Sequence, residues 1–165
     1  MTSKTNSVQR VISAIEALGL STEVVELPKS TRTAVKAAEA VGCDVGQIVK
    51  SLVFRTRQTQ KPLLVMTSGA NQVDEALVGK LLGEEIEFAS PEYVRETTGF
   101  AIGGVSPFGH LKAIKTFVDQ DLLAYQTIWA AAGSPHTVFS IAPEDLVEAS
   151  HGEVIPVQKQ ESSSS

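Results

Sequence analysis

The chain has 165 residues, 14 basic and 19 acidic side chains, a net charge of −5, 42% hydrophobic residues and a mean hydropathy of +0.06. These values suit one compact soluble domain and exclude a disordered chain, a disulfide-built scaffold and a membrane-spanning protein. So acidic a domain is poorly equipped to hold a duplex through many phosphate contacts, so DNA is not an expected partner and an RNA would be gripped at one end.

The polar start, residues 1–7, and the Ser-rich tail QKQESSSS, residues 158–165, are expected to be disordered, leaving one domain over residues 8–157. MTSKTNSVQR has no apolar core of the secretory kind, which points to the cytoplasm. In the first element Val8, Val11, Ile12, Ile15 and Leu18 recur at helical spacing after Ser7, a candidate cap, and Gly19 closes the helix. Glu23–Leu27 reads as a short strand stopped by Pro28, and the Ala-rich Thr33–Val41 as a helix ended by Gly42. Ile48–Arg55 (IVKSLVFR) is a β-branched strand that carries a lysine, Lys50, and the turn RQTQKP joins it to the strand Leu63–Thr67 in a hairpin. Val73–Leu82 is amphipathic and helical, and Ser90-Pro91-Glu92 opens a further helix that Gly99 ends.

Past the loop FAIGGVSPFGHL come three apolar runs, IKTFVD, TIWAAAG and TVFSIA, joined by short polar turns, before Pro143 begins a last helix. Interleaved elements followed by hairpin-linked strands predict an α/β (α+β) fold, a mixed and largely antiparallel twisted sheet surrounded by helices.

The familiar catalytic patterns are absent. Three histidines (His110, His136 and His151) and the single Cys43 provide no metal-ligand spacing, no Cys/His pair, no Ser/His/Asp set and no nucleophile elbow, so no metal is expected. Cys43 reads as a packed small hydrophobe. The basic residues Lys29, Arg32, Lys36, Lys50, Arg55, Arg57 and Lys61 fit a solvated surface as well as a binding patch.

Two features carry more. Gly103-Gly104-Val105-Ser106-Pro107, continued by Phe108-Gly109-His110, is a constrained loop whose backbone amides could hold an anion or a developing oxyanion, although Gly and Pro also punctuate any tight turn. Lys50, a charge on an apolar strand, either snorkels outward or serves a site.

In this order, the strand Gln47-Ile48-Val49-Lys50-Ser51-Leu52, the segment Ser68–Leu82 and the loop Gly103–Pro107 resemble the YbaK/ProX-type aminoacyl-tRNA editing deacylases and the inserted editing domain of bacterial prolyl-tRNA synthetases. The resemblance runs from about Glu23 to Leu146, and the GxxxP loop downstream of the lysine is its most specific part. It implies hydrolysis of the ester that joins a small wrong amino acid to a tRNA, often prolyl tRNA. The partners it implies are the misacylated acceptor end and a prolyl-tRNA synthetase.

As site residues the resemblance implies Lys50 and the loop Gly103, Gly104, Val105, Ser106 and Pro107, with Ser51, Phe108, Gly109, Ala132, Gly133 and His136 at the substrate. The chain departs from the alanine-specific members in carrying Ser51 after the lysine where they have asparagine, and in the segment Trp129–His136. Two other readings stand beside an editing hydrolase: a non-catalytic module that binds a tRNA end or nucleotide, and an unrelated ester hydrolase with Ser106 as nucleophile.

Overall fold

The computed structural model describes residues 3–27 and 33–158. Lys29, Arg32, the strand stop at Pro28 and most of the Ser-rich tail therefore lie outside the described residues, as do residues 1 and 2.

Local signals account for the helices. The first, α1 (Ser3–Ala17), begins before Val8 and takes Ser7 into its body, so Ser7 is not its cap. α2 (Ala34–Val41) starts at Thr33, whose side chain accepts from the Lys36 amide, and stops at Gly42 in the left-handed region. α3 (Glu75–Leu82) is capped by Asp74, and α4 (Pro91–Thr98) by Ser90 with Pro91 in the first turn. α5 (Pro143–Ser150) opens on its own proline.

The strands are β1 (Val25–Glu26), β2 (Val49–Thr56), β3 (Pro62–Ser68), β4 (Ile86–Phe88), β5 (Lys115–Asp119), β6 (Ile128–Ala131), β7 (Thr137–Ile141) and β8 (Glu153–Ile155). They form a five-stranded sheet in the order β4-β2-β3-β5-β8 and a three-stranded sheet in the order β1-β7-β6. The β3–β5 and β5–β8 pairs are parallel and the other four are antiparallel, which is the mixed, largely antiparallel arrangement expected.

The sheet differs from the expectation in one respect. The three late apolar runs do not pair in series, because β5 joins the larger sheet beside β3 and only β6 and β7 make a hairpin. The cause lies at Asp119, whose side chain accepts from the Asp121 amide and opens a 3₁₀ turn, Gln120–Ala124, that carries the chain away before β6.

The central strand β3 is buried on both faces, as a strand covered on each side should be. Leu64 and Met66 pack into a core with Val11, Phe100, Phe139 and Leu146, whereas Leu63 and Val65 pack with Phe54, Val78 and Phe117 on the other side. An isolated parallel bridge from Ile48 to Trp129 ties the two sheets together at the start of β2.

Candidate active site

Along β2 only Phe54, Arg55 and Thr56 pair with β4, the Val53 carbonyl accepts from the Ala89 amide and Ile48 bridges to Trp129, so from Val49 to Leu52 the strand is paired with β3 alone. A cavity of about 350 Å³ opens at that edge. Ile48 to Val53 form its floor, Trp129 to Ala131 of β6 and Pro135 one wall, and Ile102, Gly103 and Val105 the other. Phe88 and Ile102 line it while remaining 58% and 57% exposed, which marks them as the rim. Lys50 is the single charged residue that lines the cavity among the described residues.

The Lys50 ammonium donates to the backbone carbonyl of Asn71 at 2.7 Å. Burial pushes its pKa below that of a free lysine, and the negative charge of Asp119 partly offsets this. Next to it the Ser51 hydroxyl is buried with no hydrogen-bond partner among the described residues. A buried hydroxyl of that kind costs free energy unless something pairs with it.

The glycine-rich loop is pressed against the β6–β7 turn. A Cβ on Gly104 would stand 2.8 Å from Ser134 Cα and 2.9 Å from its nitrogen, so only glycine permits this backbone-to-backbone approach. Gly104 also donates its N–H to Ala101 O at 2.9 Å and is therefore not an available oxyanion donor. The N–H groups of Gly103 and Val105, both of which line the cavity, have no partner among the described residues.

Ser106 is 0% exposed, does not line the cavity, and its hydroxyl accepts from the Phe108 amide at 3.3 Å. Its carbonyl accepts from His110 Nε2 at 2.6 Å, and burial holds the His110 pKa below the usual histidine value.

The remaining sequence candidates support the walls from behind. Phe108 packs on Phe139 with ring centroids 5.5 Å apart, and Ala132 is fully buried. The Gly109 carbonyl accepts from Arg10 Nε at 3.3 Å, and Gly133 lies against the backbone of Ser7 in α1. His136 accepts from the Leu27 amide through its carbonyl. None of these, nor Pro107, lines the cavity.

The family model of the aminoacyl-tRNA editing domain matches residues 28–149. This chain belongs to that family. The editing domain is 33% identical to YwhH of Bacillus subtilis, a protein without an assigned role, over 80% of this chain and 83% of that one. It is 27% identical to EbsC of Enterococcus faecalis, provisionally named a Cys-tRNA(Pro)/Cys-tRNA(Cys) deacylase, over 78% and 79% of the two chains. A solved structure described as a proposed trans-editing enzyme for prolyl tRNA synthetase superposes with a TM-score of 0.89 at 44% identity, over 93% of this chain and 98% of that one.

Sequence reasoning alone does not single out several residues in or behind the cavity of this editing domain. Trp129 and Pro135 stand in the sequence only as part of a departing segment, Ile102 only as an apolar flank of the loop and Asn71 only within the segment Ser68–Leu82, while nothing marks Phe88. Asn71 did carry a signal, since a polar residue in the turn between a buried strand and a helix has backbone groups that something must satisfy.

Proposed function

We propose that this editing domain hydrolyses the ester of a prolyl tRNA that carries a small wrong amino acid, with the aminoacyl end seated in the cavity beside β2. The observation that carries this reading is the placement of one charged side chain, Lys50, in an otherwise uncharged cavity that also brings two unpaired amides, those of Gly103 and Val105, to its wall. Water attacks the ester carbonyl carbon, the carbonyl oxygen takes the negative charge, and collapse expels the ribose oxygen, which picks up a proton. Donors held in place for the oxyanion lower that barrier by about 3 kcal/mol each in comparable sites.

Lys50 would hold the polar end of the aminoacyl-adenosine in register, and the Ser51 hydroxyl would pair with the amino acid. The cavity volume of about 350 Å³ favours a small side chain beside the ester. No protein base stands at the cavity among the described residues, so the substrate's own ribose hydroxyl would assist the water, as the family resemblance implies. A Ser106 nucleophile is disfavoured by that residue's burial and its engaged hydroxyl.

The deciding experiment measures deacylation of a panel of mischarged tRNAs by the wild-type protein and by Lys50→Ala, with circular dichroism on the same preparations. A folded Lys50→Ala protein is expected to lose a hundredfold or more in turnover. Near-normal turnover would remove Lys50 from the site.

A further inference from the structure

Behind Lys50 lies a buried acidic side chain that the proposed reaction does not use. Asp119, the last residue of β5, is 0% exposed. Its Oδ2 accepts from Thr67 Oγ1 at 2.9 Å, from the Ser68 amide at 2.9 Å and from Asn71 Nδ2 at 2.8 Å, and its Oδ1 accepts from the Asp121 amide at 2.9 Å. All four partners are neutral donors, and no ion pair to Asp119 occurs among the described residues. Burying a carboxylate is costly, and four directed donors are what such a group requires to stay charged inside a fold.

The same Asn71 amide nitrogen donates its second proton to Asp121 Oδ2 at 2.8 Å, so the Asn71 side chain is clamped between two carboxylates. With its side chain fixed, Asn71 turns its backbone carbonyl to the Lys50 ammonium at 2.7 Å. Lys50 and Thr67 are directly opposed across β2 and β3, which brings the lysine, the asparagine and the aspartate to one end of the sheet.

We infer that Asp119 is a positioning residue for Lys50 and acts through Asn71, the network serving to fix where the ammonium sits. The inference rests on the reading of Lys50 as the site lysine. A lysine has four rotatable bonds and much rotamer freedom to lose, so a flexible one would hold substrate poorly unless its head were anchored in advance. The carbonyl supplies the anchor and the aspartate supplies charge of the right sign. Besides Asp119 of β5 and Asp121 of the following turn, β3 presents the uncharged Thr67 here, and the cavity lining contributes no other charged group.

The test reads Lys50 directly by NMR of its ¹⁵Nζ and ¹³Cε nuclei, assigned with Lys50→Arg, alongside deacylation kinetics. In the wild-type protein the Lys50 ammonium should exchange its protons slowly, and the Asp119 carboxyl carbon should shift at the Lys50 titration midpoint. Asn71→Ala is expected to abolish the slow exchange and to lower kcat/KM at least tenfold, while Asp119→Asn lowers the Lys50 midpoint. Ile86→Val, which trims the core under β4, serves as a destabilised control that moves neither reading.

Wild-type behaviour of Lys50 in both network variants would overturn the inference. Should those variants not fold, a wild-type Asp119 carbon that ignores the Lys50 titration overturns it equally. A fully active Lys50→Ala protein instead sinks the catalytic reading, and the NMR result still decides whether Asp119 and Asn71 hold the ammonium.

Discussion

Gly104→Ala is the perturbation for which the structure gives the clearest magnitude. The added methyl would lie 2.8 Å from Ser134 Cα, 2.9 Å from its N and 3.0 Å from its C. All three are backbone atoms, which cannot rotate aside, so the loop and the β6–β7 turn must separate. Overpacking of this kind costs about 1–3 kcal/mol. Taking the low end of ordinary domain stability, about 5 kcal/mol, a loss of 3 leaves about 97% of the molecules folded, so unfolding alone removes only a few per cent of the turnover.

Yet the clashing residues Gly104 and Ser134 directly adjoin Gly103 and Pro135, both of which line the cavity, and a misplacement near 1 Å costs about a hundredfold in rate. The expected outcome is therefore a denaturant midpoint lowered by 1–3 kcal/mol in stability, by the general range above, and a turnover reduced out of all proportion to it. A variant that loses the stability but keeps more than half of its turnover would refute the use of this loop in the reaction.

Arg10→Ala removes hydrogen bonds to Gly109 O and Thr98 O and a guanidinium 4.5 Å from the Phe100 ring, and it should cost about 2 kcal/mol by chemical denaturation, with a reduced turnover as the loop loosens. His110 has a depressed pKa in the fold, so as pH falls from about 6.5 the unfolded chain takes up the proton first and stability declines; His110→Phe should flatten that slope in thermal melts between about pH 6.5 and 5. Ser106→Ala should lose about 1 kcal/mol from the Phe108 contact but retain turnover, and a stable acyl adduct on Ser106 in the wild-type protein would contradict this. Cys43→Ser should keep its activity, because burial and the neighbouring Asp44 raise the thiol pKa and leave a poor nucleophile at neutral pH.

Elements that announce themselves locally were legible in the sequence. Ser90, Pro91 and Gly99 marked α4, and Ser90 does accept from the Tyr93 amide at 3.2 Å while Gly99 has a φ of 83°. Lys50 was legible for a similar reason, as a charge that an apolar strand would otherwise not contain. The three-residue strands β4 and β8 were not, because Glu87 in one and Glu153 in the other leave two apolar positions apiece, too few to show a period.

The site was legible in its Lys50 and Gly103 parts, whereas the division of labour within the loop was not. That Phe108 and Ala132 belong to the core behind the wall follows from long-range packing that no local spacing encodes, and which amide of the loop the local turn to Ala101 would take up was not marked by its run of Gly and Pro. The place of Asp119 depends on the parallel pairing of β5 with β3, a contact between segments about fifty residues apart, the same order as the 52-residue separation of its bond to Thr67.

Helix α1 lies wholly outside residues 28–149, the stretch that matches the family, and yet Arg10 ties down the far end of the glycine-rich loop while the Ser7 backbone abuts Gly133, behind the wall that Pro135 and β6 form. A fragment trimmed to the matching stretch would thus keep every residue that touches the cavity and lose the brace that sets the spacing of its two walls. It would also lose β8, which borders β5 through Asp119 and Ile155. Transplanting the domain by its family boundaries should accordingly yield a poorly shaped cleft, and a graft that begins at Ser3 and continues through Gln158 preserves the brace on both flanks.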